Sequence, residues 1–168
     1  MVKPIRERLK RGQDIVVAPG VYDMISARTA AQVGFPVLYV TGYGLAASRL
    51  GVPDCGLAGL QDFVSFISAV HARTDCAIIA DADTGFGGAG NAWHTVRAYE
   101  YAGAAAVQLE DQVFPKRCGH VTGRRIVPEE EMVSKVRAAC AARKDPATVI
   151  IARTDARTSE GLEAALHR

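Results

Sequence analysis

The sequence has no CxxC pair, and its four cysteines stand far apart at 55, 76, 118 and 140. That spacing excludes a zinc ribbon and a dense disulfide framework, and reduced thiols in a cytoplasm fit it best. There is also little excess charge, a formal +2 over 168 residues with the basic side chains scattered. Electrostatic attachment to nucleic acid or to a membrane surface is therefore not expected. No apolar run approaches the roughly 20 residues that a membrane helix needs. The basic opening stretch from Met1 to Asp14 lacks the apolar core of a secretory signal. Low-complexity tracts and interdomain linkers are missing too. What remains, at 49% hydrophobic and 23% charged residues, is a globular chain able to bury a core as one domain or part of one.

Short continuous apolar runs alternate with longer helical patterns. The runs Ile15 to Ala18, Val37 to Val40, Ala77 to Ala80, Ala105 to Leu109 and Val149 to Ala152 read as strands buried on both faces. Helix signals cover Tyr22 to Val33, Leu60 to Arg73, Ala92 to Ala102 and Glu129 to Arg143. Gly34 and Gly103 follow two of these helices as C-terminal caps. Pro128 opens the last, with Glu129, Glu130 and Glu131 complementing its dipole. Such regular alternation predicts parallel βαβ units with right-handed crossovers. Polar residues follow nearly every strand, which favours a (β/α) barrel, whose strand ends share one mouth, over an open sheet.

The polar residues at that mouth carry the chemistry. Lys116-Arg117-Cys118-Gly119-His120 puts a thiol beside two cations and a histidine. Positive neighbours raise the thiolate fraction of a thiol, so Cys118 is expected to do proton or nucleophile work. His120 would tune it or position an anionic oxygen. Asp81 and Asp83 share a face at the end of one strand and Glu110-Asp111 close the next. Asp81, Asp83 and Glu110 form an oxygen-rich set suited to a hard dication, magnesium or alternatively manganese. Asp54 is either an outer acid of that set or a turn former. Arg153 either grips a substrate carboxylate or pairs with Asp155. The run Gly85-Phe86-Gly87-Gly88-Ala89-Gly90 lacks the spacing of a dinucleotide fingerprint and reads as a tight or mobile turn. His71, His94, His167, Trp93, Tyr99 and Tyr101 fall on helical stretches and are assigned to structure. Cys55, Cys76 and Cys140 lack cationic neighbours and are treated as inert.

Taken together, these segments resemble the isocitrate lyase and phosphoenolpyruvate mutase superfamily, and its lyase branch in particular through Lys116-Arg117-Cys118-Gly119-His120. The resemblance extends over Leu50 to Asp54, Asp81 to Gly87, Glu110-Asp111-Gln112 and Ile151 to Ala156, in the family's order. It implies a (β/α)8 TIM barrel of which residues 1–168 hold about the first five βα units, a magnesium ion, a small carboxylate substrate and a homotetramer. Asp83 matches the direct metal ligand, with Asp54, Asp81 and Glu110 reaching the ion through water. Tyr39, Thr41 and Gly42 fall on the substrate-binding loop, and Arg153 matches a carboxylate binder. Cys118 matches the acid/base on a mobile loop, with Lys116, Arg117 and His120 assisting. The expected reaction is carbon–carbon cleavage of a 2-hydroxy di- or tricarboxylate such as methylisocitrate. Oxaloacetate decarboxylation or hydrolysis, phosphonate mutase chemistry and an inactive fragment serving assembly are the alternatives. Tyr43, between Gly42 and Gly44, departs from the small residues usual in methylisocitrate lyases. Five units by themselves are expected to leave an open barrel edge and to lack turnover.

Overall fold

The computed structural model describes residues 5–10 and 15–168. Of the basic opening stretch, Lys3 and Arg11 lie outside the described residues. Five parallel strands, β1 (Gly20–Val21), β2 (Val37–Val40), β3 (Ala77–Asp81), β4 (Ala106–Glu110) and β5 (Val149–Arg153), pair in sequence order. The major crossovers are α2 (Met24–Val33), α4 (Leu60–His71), α5 (Ala89–Ala102) and α6 (Glu129–Ala142). Short helices α1 (Ile5–Arg8), α3 (Gly42–Leu45), α7 (Ala156–Ser159) and α8 (Leu162–His167) complete the described residues, with a π-turn at Ala46–Leu50.

Period-two alternation sorts each strand between two layers. Leu38, Val40, Ile78, Ala80, Val107 and Leu109 pack outward against Phe63, Ile67 and Val70 of α4 and Val96 and Tyr99 of α5. Val37, Ile79, Ala106 and Ile151 point the other way and, with Ile5, fill the lower part of the concave face. Continuing the same alternation upward puts Tyr39, Asp81, Gln108, Glu110 and Arg153 above that apolar floor. The register sets Asp81 beside Gln108 and Glu110 beside Arg153.

Two helix ends follow the expected chemistry. Asp23 accepts from the Ser26 N–H at 2.7 Å while Ser26 Oγ accepts from the Asp23 N–H, closing a capping box on α2. Gly34 and Gly103 take left-handed conformations at the ends of α2 and α5.

The first strand is displaced from its expected position. Ile15 and Val17 are exposed, and the sheet begins only where Tyr39 N–H donates to Pro19 O and Thr41 N–H to Val21 O. An apolar run on the open side of a sheet need not pair, so composition marked the segment but not its ladder. β5 is also not buried on both faces, because it forms the opposite edge of the sheet. Trp93 and Tyr101 are exposed rather than packed, whereas Tyr99 is fully buried and donates its hydroxyl to the Asp81 carbonyl.

Candidate active site

Two of the predicted acids, Asp54 and Asp83, meet at a lysine. Lys116 Nζ lies 2.5 Å from Asp54 Oδ1 and 2.7 Å from Asp83 Oδ1, with Lys116 and Asp83 buried and Asp54 partly so. Asp81 accepts from the Asp83 N–H at 3.0 Å and from the Gly42 N–H at 3.2 Å. Glu110 Oε2 sits 3.3 Å from Arg153 Nη1. The turn that aims Asp83 inward has φ of 47°, uncommon for a residue with a Cβ. Phe86 in the glycine run shares that left-handed geometry.

Burial dominates the electrostatics here. Desolvation, followed by the charge of Asp81, pushes the Asp83 carboxyl up to about 7 against the pull of Lys116. Desolvation likewise pushes Glu110 up to about 8, although Arg153 and Lys116 oppose it. Burial works against the Lys116 ammonium, but Asp83 and Asp54 outweigh it and hold its pKa above the ordinary lysine value. Asp83 Oδ1 and Glu110 Oε1 are buried without a hydrogen-bond partner, the former lying within ion-pair distance of Lys116 but outside hydrogen-bond geometry. Among the described residues, no three carboxylate, imidazole or thiol groups stand close enough to hold an ion as they are. Lys116 between Asp54 and Asp83, and Arg153 against Glu110, account for that spacing.

Gly42 is tightly enclosed by the acids. A Cβ there would lie 3.0 Å from Asp81 Oδ2 and 3.1 Å from Asp83 Oδ1. Gly42→Ala is expected to destabilise the chain by about 1–3 kcal/mol through overpacking. Gly90→Ala in α5, where a Cβ meets nothing within 4 Å, is expected to stabilise it by about 0.5–1 kcal/mol. Denaturant unfolding of the two variants checks the opposite signs.

Cys118 is half-buried, with Sγ 3.5 Å from His120 Nδ1. Both line a cavity of about 630 Å³ together with Tyr43, Pro53, Asp54 and Arg117. Asp54 is the one residue of the acidic group that lines it; Asp81, Asp83 and Glu110 do not. Cys55 also lines this cavity, despite having no cationic neighbour in sequence. The Arg117 side chain is exposed and donates to the Thr122 carbonyl at 3.5 Å.

The remaining predicted residues form the rim. Tyr39 accepts from Gln108 Nε2 at 2.7 Å, and burial raises its phenol above the ordinary range. Thr41 caps α3, accepting from the Gly44 N–H. Arg153 makes the expected pair with Asp155. It is a third exposed at the mouth, and its Nη2 bonds both oxygens of Asp155, at 3.1 and 3.2 Å. Sequence reasoning missed Gln108, whose alternation with Glu110 on β4 was its signal. It also missed Arg124 and the contacts of Asp111 and Gln112, whose partners lie up to 57 positions away.

The phosphoenolpyruvate phosphomutase family model matches residues 5–168. The chain belongs to that family. A 2,3-dimethylmalate lyase of Eubacterium barkeri is 51% identical over 154 residues, covering 92% of this chain and 53% of that protein. A 2-methylisocitrate lyase of Aeropyrum pernix is 48% identical over 164 residues, or 98% of this chain and 52% of that one. Among solved structures, oxaloacetate acetylhydrolase with the inhibitor 3,3-difluorooxalacetate aligns with a TM-score of 0.94 at 41% identity, over 99% of this chain and 57% of the other. Phosphonopyruvate hydrolase in complex with oxalate and Mg²⁺ aligns with a TM-score of 0.88 at 33% identity, over 98% and 56%. The chain thus spans about half the length of the relatives it matches. Its five βα units are the corresponding part of the barrel fold those family members share.

Proposed function

We propose that the whole protein cleaves a carbon–carbon bond in a small 2-hydroxy di- or tricarboxylate of the methylisocitrate or dimethylmalate type. The products are a 2-oxo acid and a second carboxylate. The observation that carries this reading is the pairing of a thiol loop, Cys118 beside His120, with a buried carboxylate group that the same loop reaches through Lys116.

A magnesium ion is implied by the resemblance, and the residues fit it. Every donor is an oxygen, Asp83 Oδ1 and Glu110 Oε1 are buried without hydrogen-bond partners, and an ammonium already stands between two of the acids. Asp83 would hold the ion, with Asp54, Asp81 and Glu110 around it, and manganese has the same preference for oxygen. When bound, it supplies Lewis-acid stabilisation of the charge that develops on the 2-oxo acid fragment. Arg153 offers its partly exposed guanidinium to a substrate carboxylate, and Tyr39, Thr41 and Gly42 form the adjoining wall. As the carbon–carbon bond breaks, the substrate hydroxyl gives up its proton to a base and becomes the 2-oxo group, and the bonding pair passes to the departing carboxylate. Cys118 delivers a proton to that carbanionic carbon, and His120 exchanges protons with the thiol. Lys116 and Arg117 offset the remaining negative charge. Closing the loop excludes water from the carbanion.

A second reading, hydrolysis of oxaloacetate, is favoured by the TM-score of 0.94 with oxaloacetate acetylhydrolase. Product analysis separates the two: 2,3-dimethylmalate or 2-methylisocitrate consumed with release of a 2-oxo acid supports the lyase, whereas oxalate released from oxaloacetate supports the hydrolase.

Lys116 gives a test on the chain itself. Lys116→Met leaves Asp54 and Asp83 buried without their cation, so a loss of about 3–5 kcal/mol is expected without added metal. Millimolar magnesium should restore more of the unfolding midpoint in this variant than in the parent. An equal effect of magnesium on both would remove the acids from the metal assignment.

A further inference from the structure

The loop carrying Cys118 is gripped on both sides of the thiol by side chains that share one carboxylate. Before the thiol, Gln112 takes both backbone groups of Arg117: its Nε2 donates to the carbonyl at 2.9 Å and its Oε1 accepts from the N–H at 3.0 Å. After it, Arg124 Nη1 donates to the Gly119 carbonyl at 2.5 Å. The two meet at Asp155, where Gln112 Nε2 donates to Oδ2 at 2.9 Å and Arg124 Nη1 to Oδ1 at 3.1 Å.

Asp155 is itself fixed. Its N–H donates to Asp111 Oδ1 at 2.8 Å, and Arg153 Nη2 bonds both of its oxygens. Gln112 is 1% exposed and Asp155 7%. A fully buried amide spends its hydrogen-bonding capacity on a loop backbone and on the carboxylate that also anchors the loop's other side. That is an arrangement for holding the loop, since an apolar residue of the same shape would fill the space without needing partners. Farther out, the loop is closed by Val113 N–H to Arg125 O and Val127 N–H to Asp111 O, both at 2.8 Å. Between those closures, Lys116 is held by Asp54 and Asp83 and the Val121 N–H bonds the Cys118 carbonyl, while Gln112 and Arg124 reach the backbone of the two residues next to Cys118. Gly119 fits the same construction, because a Cβ there would lie 2.7 Å from Arg153 Nη2.

We infer that Gln112 and Arg124, joined through Asp155, are the positioning residues that fix the Cys118 thiol over the site. The inference rests on Cys118 acting on substrate, so its test has one arm that needs no turnover. In the chain as it stands, amide hydrogen exchange over residues 117–121 is expected to rise about tenfold in Gln112→Met and in Arg124→Met, with the amides of α4 and α5 unchanged. Gln112→Glu keeps the acceptor for the Arg117 N–H but turns the donor into an oxygen facing Asp155 Oδ2 and the Arg117 carbonyl, so its loop exchange should rise at least as much as in Gln112→Met. Unchanged loop exchange, or an equal rise in α4 and α5, would overturn the inference. Should Gln112→Met fail to fold, Arg124→Met, which leaves Asp155 its bonds to Arg153, decides the matter.

The second arm uses the whole protein. Both variants are expected to lower kcat about tenfold or more with KM within about threefold, the pattern of a misplaced proton donor rather than lost binding. Faster loop exchange with unchanged kcat would show a structural clamp with no part in positioning, and would likewise overturn the proposal. If the parent shows no turnover, the lyase reading fails while the exchange arm still decides the clamp.

Discussion

Asp83→Ala is expected to abolish magnesium-dependent turnover in the whole protein while leaving the chain folded. Asp83 is the acid whose buried Oδ1 is ion-paired to Lys116 without a hydrogen bond and whose backbone is held at a φ of 47°. Strain of that kind persists only where the surroundings impose it, and here it aims the carboxylate at Lys116. The metal's share of charge stabilisation in such reactions is several kcal/mol, and about 1.4 kcal/mol is tenfold in rate, so a loss of about 10³-fold or more follows. Stability should change much less. Asp83 is held well above the usual carboxylate range by burial and by Asp81, so its removal also relieves a desolvated acid, and Lys116 retains Asp54. Magnesium-stimulated product release by Asp83→Ala, or collapse of the fold, would contradict this assignment. Steady-state rates with and without magnesium, alongside circular dichroism, measure both.

Cys118→Ser should lower kcat by about 10²–10⁴-fold, the range supplied by a positioned general acid. Serine keeps the shape and a hydroxyl, but that hydroxyl is a far weaker acid than a thiol, so the proton no longer reaches the carbanion at a useful rate. Magnesium affinity should remain near that of the parent, because the thiol lines a cavity whose one acidic wall residue from the metal group is Asp54. The pairing of lost turnover with retained metal binding separates a proton donor from a ligand. Unchanged kcat would remove Cys118 as the acid, and lost magnesium affinity would make it part of the metal site. Metal titration by calorimetry and initial rates on the same preparation distinguish these outcomes.

The two assignments also mark how far the sequence could be read. β2 through β5 were visible because each is a continuous apolar run closed by polar residues, and the acids sat in those closures. The first strand was not, since Ile15 and Val17 face away from the core and pairing starts at Pro19. Asp81, Asp83 and Glu110 were expected as a set from alternation and adjacency, and the structure buries all three. Their cation was not legible: Lys116 lies 33 positions beyond Asp83 and 62 beyond Asp54, and no local pattern reports such a contact. The same holds for Gln112, whose place at the end of β4 is plain but whose hold on Arg117 and Asp155 depends on how the loop folds back. Side-chain type and period set the layers, while long-range polar partners emerge only once the strands are in register.

The most direct test of the central claim is to incubate the whole protein with 2-methylisocitrate, isocitrate and 2,3-dimethylmalate, with magnesium and with excess chelator, and to follow pyruvate and glyoxylate. A 2-oxo acid released from at least one of these acids, and lost on chelation, is the predicted result. Release that persists in chelator, or none from any of the three while oxaloacetate yields oxalate, would contradict it.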